Sequence, residues 1–201
     1  MSKLVQEAKE KLCSVAQRAG FRDPVTGLVP KCEVQLSATL ALYHQLGLVD
    51  WGQVLLEEPD GSLGHRASQA IPTDSVVATE FPLATADQGQ VEIWGGMPAD
   101  VLFLSRDGAR VALLESKIGS GFTYGADPEK GQVGRQIDFL RSTRPSAKSY
   151  ILLTSGRLLD RGWYRNELAA SAQYGRRESV GVYLMRWESV MTVVTPLSAE
   201  R

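Results

Sequence analysis

Between Pro98 and Gly121 the chain reads PADVLFLSRDGARVALLESKIGSG, two apolar runs on either side of Asp107-Gly108. An Asp-Gly pair between strand-like runs is a strong hairpin signal, because a two-residue type I′ turn needs positive φ at both central positions. With that pair as the loop, Arg106 faces Ala109 and every opposed pair of residue numbers sums to 215, which sets Asp100 across from Glu115. Directly opposed Cβ atoms lie about 4.5–5.5 Å apart. The two-residue side-chain period keeps Leu102, Leu104, Val111 and Leu113 on the same face, and it adds Lys117 one step beyond Glu115. Two acids and a lysine therefore share the open end of an apolar hairpin.

Like charges placed opposite one another destabilise a sheet, so the pair calls for a cation. Lys117, on the diagonal from Asp100, supplies one as an ordinary ion pair. A divalent metal bridging the carboxylates is the other solution, since magnesium is commonly held by one or two carboxylates, waters and a phosphate. The hairpin alone leaves both open.

Asp100 followed by Glu115-Ser116-Lys117 resembles the PD-(D/E)XK nuclease superfamily, the restriction-endonuclease-like phosphodiesterases. In one branch of it the E-x-K strand precedes a helix with a Gln-hydrophobic-x-Arg-Tyr pattern. Here that helix reads GQVGRQIDFL, with Gln132, Val133 and Arg135 in place and Gln136 where the family often has Tyr. In Pro98-Ala99-Asp100 the proline stands one residue further from the aspartate than in the motif's name. The resemblance covers roughly residues 32–195, with residues 1–30 as an additional N-terminal helix and connector, all in one domain. It implies an α/β restriction-endonuclease-like core: a central mixed sheet flanked by helices in the order α-β-β-β-α-β.

Composition sets bounds on the class of protein. At 201 residues and 43% hydrophobic the chain suits one globular domain. No apolar run approaches the roughly 18 residues of a membrane span, and MSKLVQEAKEKLCSVAQRAG lacks a signal peptide's apolar core. Cys13 and Cys32 form neither a metal-ligand cluster nor a disulfide framework, so a cytoplasmic protein with reduced thiols is expected. The net charge of −1 conceals an asymmetry: residues 1–129 hold 10 Lys/Arg against 17 Asp/Glu, and residues 130–177 hold 10 against 3. A basic block of this kind marks either a nucleic-acid face or ordinary solvated helix faces.

Along the chain, residues 2–19 read as an amphipathic helix, a cap or a dimerisation element, which leaves a homodimer open. Residues 32–48 read as a second helix burying Leu36, Leu40, Tyr43 and Leu46. His44, a lone histidine there, is expected to be structural rather than a ligand. Residues 51–75 are polar and turn-rich, a loop or short irregular elements, with His65 lacking a ligand partner at useful spacing. Residues 76–83 read as the first strand and ADQGQVEIWGGMP as a loop. After Lys117 a glycine-rich connector leads to Asp127-Pro128-Glu129, a helix start by its N-cap and proline. That helix buries Val133, Ile137 and Leu140 and stops before Arg144-Pro145. Residues 148–154 read as a buried strand, Asp160 as the cap of a helix through Tyr174 closed by Gly175, 180–187 as a last strand, and ESVMTVV as a short helix.

By the same resemblance, the expected activity is magnesium-dependent hydrolysis of phosphodiester bonds in DNA, with manganese able to substitute. Asp100, Glu115 and the Ser116 backbone carbonyl would hold the metal, Lys117 would orient water and balance phosphoryl charge, and Gln132 would position water or backbone. Glu33, in the helix where relatives place an acid near the metal, and Glu80, on the strand beside the hairpin, are candidate additional acids. Arg135, Arg141, Arg144, Arg157, Arg161 and Arg165 are candidates for phosphate contacts, which set affinity but not sequence choice. A non-catalytic nucleic-acid-binding or assembly module that keeps the fold is the alternative. The absence of H-E-x-x-H and G-x-S-x-G motifs leaves other hydrolases little support.

Overall fold

The segment AKSYILLT, from Ala147 to Thr154, forms a strand whose last six side chains are all buried. A strand covered on both faces belongs in the middle of a sheet with helices on either side. The computed structural model describes residues 33–81, 83–87, 90–93, 98–117, 122, 131–162 and 164–194. In chain order these form α1 (Glu33–Gln45), β1 (Leu55–Glu57), β2 (Leu63–Arg66), α2 (Ala67–Ala70), β3 (Ser75–Phe81), β4 (Ala84–Asp87), β5 (Gln90–Ile93), β6 (Ala99–Ser105) and β7 (Arg110–Ser116). They continue with α3 (Gln132–Ser142), β8 (Ala147–Thr154), α4 (Gly156–Asp160), α5 (Arg165–Arg177), β9 (Gly181–Arg186) and α6 (Trp187–Met191).

Seven strands make one mixed sheet in the order β2-β1-β9-β8-β7-β6-β3, and β4-β5 form a separate antiparallel pair. The parallel strands β7, β8 and β9 are joined through α3 and through α4-α5, as parallel neighbours require. The fold is α/β, an open seven-stranded sheet flanked by helices. One face packs on α1, α2 and α6 through Leu36, Leu40, Trp51, Phe103, Leu114, Ile151 and Trp187. The other packs on α3 and α5 through Leu113, Val133, Ile137, Leu140, Tyr150, Leu152 and Leu168.

The hairpin has the expected register: Val101 pairs with Leu114, Leu102 with Leu113, Phe103 with Ala112 and Leu104 with Val111. Its turn is a different one. Gly108 has φ +71°, but Asp107 is not in the positive-φ region, so the loop is not type I′. Instead Gly108 N–H donates to Ser105 O, and the Asp107 carboxylate accepts from Ser105 Oγ at 2.5 Å and Ala109 N at 3.0 Å. Side-chain bonds to the carboxylate thus stabilise a longer turn without requiring αL geometry at the aspartate.

Other expectations need correcting. The helix at 32–48 ends at Gln45, where Gly47 takes φ +67°, and Leu46 is exposed rather than buried. The stretch 51–75 holds β1, β2 and α2, which extend the sheet, so the strand at 75–81 is third in the chain. The expected loop after it contains β4 and β5. Gly131 precedes the first turn of α3. Asp160 ends α4 instead of starting the next helix, the chain turns at Gly162 and Tyr164, both with positive φ, and α5 continues past Gly175 to Arg177. Gly175 is instead a close-packing site: a Cβ there would lie 2.7 Å from Val182 Cγ2 and 2.8 Å from Val180 O. The helix read at 2–19, both cysteines and the Asp127-Pro128-Glu129 cap lie outside the described residues.

Candidate active site

The site is built where β7 leaves the sheet. The β6-β7 register, carried one step past Val101 and Leu114, sets Asp100 opposite Glu115 on the α3 side. The ladder extends beyond the last strand residue, because Lys117 N–H donates to Leu153 O at 2.9 Å and Thr154 Oγ1 donates to Lys117 O at 2.6 Å. These bonds fix the lysine backbone and direct its side chain back over Glu115.

Glu115 is buried, and its two oxygens accept three hydrogen bonds. Lys117 Nζ lies 2.7 Å from Oε1, Gln132 Nε2 donates to Oε1 at 2.6 Å, and Gln136 Nε2 donates to Oε2 at 2.9 Å. The first two turns of α3 thus face inward, and their i, i+4 glutamines grip the carboxylate from above. Burial opposes the Lys117 charge, but the Glu115 carboxylate, then Glu33 and Asp100, outweigh it and raise the amine's pKa. The lysine also lies 5.7 Å from the centre of the Phe122 ring.

Lys117 therefore pairs directly with Glu115. Of the two solutions the hairpin left open, a direct ion pair from Lys117 to Asp100 does not form, although the lysine charge still acts on Asp100 through space. Asp100 Oδ2 accepts from Ser116 N–H at 2.7 Å. No cationic side chain among the described residues forms an ion pair with it. Burial and then the Glu115 carboxylate push its pKa from 3.8 up to about 7. At neutral pH this carboxyl is therefore close to the balance between its protonated and ionised forms.

Glu80 sits across from Asp100 at the matching position between the pairs Thr79–Val101 and Phe81–Ala99. It leaves the ladder with φ +51°, a strained conformation for a residue with a Cβ, and its charge contributes to raising Asp100. Glu33 lies on the other side of the sheet, in the first turn of α1. That turn is tied to the site by Ser37 Oγ, which bonds Ser116 Oγ at 2.8 Å and Glu33 O at 2.9 Å. Among the described residues, no group of three or more His, Cys, Asp or Glu side chains is placed to hold a metal ion.

The six candidate arginines do not form one surface. Gln132 touches Glu115, and Arg141 lies nine residues further along α3, about 14 Å by helical rise. Arg141 is 3.7 Å from Asp138 and 3.6 Å from Glu178, and Arg144 lies beyond it, between the end of α3 and the start of β8. Arg135 is half-buried in the first turns of α3. Arg157 and Arg161 are exposed on and just after α4, which follows the strand end that holds Lys117. Arg165 has another task. With Arg186 it encloses the buried Glu57 (Arg165 Nη2 to Oε2, 2.5 Å), and Arg186 also bonds Asp160 at 2.9 Å.

His44 is structural: Trp51 Nε1 donates to its Nδ1 at 2.8 Å, so Nε2 carries the proton and donates to Ser75 Oγ at 2.7 Å. Sequence reasoning missed Ser37, Thr154 and Tyr150. Only the buried character of KSYILLT hinted at Tyr150, and nothing local marks it as a neighbour of the acids. No described helix is long and apolar enough to cross a membrane. Comparison of the chain with protein-family models, curated proteins and solved structures finds no match.

Proposed function

We propose that the chain is a metal-dependent nuclease that hydrolyses phosphodiester bonds in DNA, with a restriction-endonuclease-like core formed by α1, β3, β6, β7, α3 and β8. The observation that carries this is the unequal treatment of two facing acids. Glu115 has a lysine and two amides, whereas Asp100 has one backbone N–H and a pKa pushed to about 7. A structural ion pair leaves no reason to retain the second acid. A divalent cation that arrives with substrate does.

The donor set suits magnesium, which takes one or two carboxylates and fills its remaining positions with water and phosphate oxygens, so a third acid is not required. Gln136 Oε1, on the amide that holds Glu115, and Tyr150 Oη, on the same side of the sheet, belong to the buried polar atoms that have no partner within the described residues, and a bound water or ion would satisfy such atoms. When bound, magnesium or manganese supplies Lewis-acid activation of water and of the phosphate. Asp100 and Glu115, with the Ser116 carbonyl by family resemblance, would hold it. The Lys117 ammonium, fixed at the same edge, balances charge that grows on the phosphoryl oxygens. Gln132 holds the Glu115 side chain in place through its amide. Arg157 and Arg161 are the arginines best positioned to meet backbone phosphates.

The test is cleavage of single-stranded, duplex and branched DNA, with RNA alongside. Cutting should require Mg²⁺ or Mn²⁺ and cease in EDTA. Undiminished cutting in chelator would remove the metal site. Salt-sensitive binding without cutting of any substrate would favour the non-catalytic binding module.

A further inference from the structure

Tyr150 lies on β8 next to Leu113, one side-chain step behind the position where Leu152 neighbours Glu115. Strand alternation puts it on the α3 side, the side of the carboxylates. Its hydroxyl is fully buried and bonds to nothing among the described residues. Gln136 is also fully buried; its Nε2 is committed to Glu115, and its Oε1 has no partner among the described residues either. One orphan is a donor and the other an acceptor; Gln136 bonds Glu115 directly, and Tyr150, buried on the same side of the sheet, is near enough to feel the charges of Glu115 and Asp100. Burying either without a hydrogen bond costs about 1–3 kcal/mol. Glu115 and Asp100 both raise the phenol's pKa after burial itself, so the group stays an O–H donor.

We propose that Tyr150 is a positioning residue of the carboxylate site: its hydroxyl, through one buried water, bonds Gln136 Oε1 and thereby fixes the Gln136 amide on Glu115. This rests on the nuclease assignment for its purpose but not for its geometry. Water suits the place, since a buried water is held by polar groups that lack partners. The consequence is a support chain from β8 through α3 to β7. It orients Glu115 with a phenol contributed by the neighbouring strand. Outer partners of this kind commonly set metal affinity by about 10- to 100-fold.

The experiment is a mutant cycle with Tyr150→Phe, Gln136→Met and the double substitution. Each is read by metal-free thermal melting, by Mn²⁺ calorimetry, and by kcat and KM for DNA cleavage. Tyr150→Phe keeps the ring and removes only the hydroxyl, so folding is preserved. The expected result is a lowered melting temperature, Mn²⁺ affinity reduced by about 10-fold or more, and a fall in kcat with KM little changed. In the Gln136→Met background the same substitution should have almost no further effect. A Tyr150→Phe protein that melts at or above the wild-type temperature and binds Mn²⁺ equally well would overturn the proposal, because the hydroxyl would then be a mere orphan. Strictly additive effects of the two substitutions would overturn it too. If the wild type neither binds Mn²⁺ nor cuts, the nuclease assignment fails, and the metal-free cycle still decides the Tyr150–Gln136 coupling.

Discussion

At Asp100, burial and the Glu115 carboxylate disfavour the charged form, and linkage turns this into a pH dependence of stability. The folded pKa of about 7 lies above the ordinary 3.8, so the folded state holds a proton that the unfolded state releases. The metal-free chain should therefore lose stability as pH rises from 3.8 towards 7, with no further loss from this group above that. Asp100→Asn removes the penalty while keeping an acceptor for Ser116 N–H. It should raise the metal-free stability at pH 8 by on the order of 1 kcal/mol, or about 2–4 °C in melting temperature. His44 acts in the opposite direction: burial lowers its pKa below 6.5, so its contribution is lost as pH falls below that value. The informative readout is consequently the difference between wild type and Asp100→Asn across pH 4–8. A flat difference would mean that Asp100 is ionised at no cost. The pairing of Asp100 with Glu115 was legible in the sequence, because a hairpin couples near neighbours through a two-residue period. The choice of Lys117 for Glu115 rather than Asp100 was not. It depends on a rotamer and on how β8 anchors the lysine backbone from residues 153 and 154.

Elements were legible where their signals were local. α3 and β8 follow their apolar patterns, but Asp107-Gly108 was misread because bonds to the aspartate side chain favour a longer turn over type I′. Gly175 shows the same limit: a glycine near a helix end suggests a C-cap, whereas here it lets α5 approach β9. Gly175→Ala would press a methyl against Val182 and against a backbone carbonyl that cannot rotate away. It should cost about 1–3 kcal/mol in urea unfolding. Arg165 was assigned to phosphate from its place in the basic block, although its guanidinium is held by a glutamate 108 residues earlier. Removing one partner of a buried ion pair typically costs about 3–5 kcal/mol, and the remaining Arg186 should keep the loss towards the low end. Arg165→Ala should thus lower stability markedly, whereas Arg161→Ala at an exposed position should leave it within about 0.5 kcal/mol. Equal stabilities for the two variants would contradict the separation of a structural arginine from a surface one.

Over the whole molecule, the charge asymmetry of the sequence resolves into different locations. Arg157 and Arg161 share the sheet edge with Lys117, and Arg141 and Arg144 lie at the opposite end of α3. If DNA lies across the site edge, Arg157→Ala and Arg161→Ala should each reduce the slope of log affinity against log salt by about 1, and Arg144→Ala should not. Equal slope changes at both ends would mean a diffuse electrostatic attraction. The α/β class could be read along the chain, but the succession of helix, three strands, helix and strand omitted β1, β2, β4 and β5. The β1-β2 extension and the parallel β7-β8 register could not, since they bring together segments distant in sequence. The claim that joins these scales is that two facing acids exist for a divalent cation. Thermal melting of the wild type, Asp100→Asn and Glu115→Gln with and without Mg²⁺, beside DNA cleavage by the same samples, tests it most directly. The wild type should gain melting temperature from Mg²⁺ and cut DNA, and both variants should lose the gain and the cutting while remaining folded without metal. A Glu115→Gln protein that is stabilised by Mg²⁺ and cuts at the wild-type rate would contradict it.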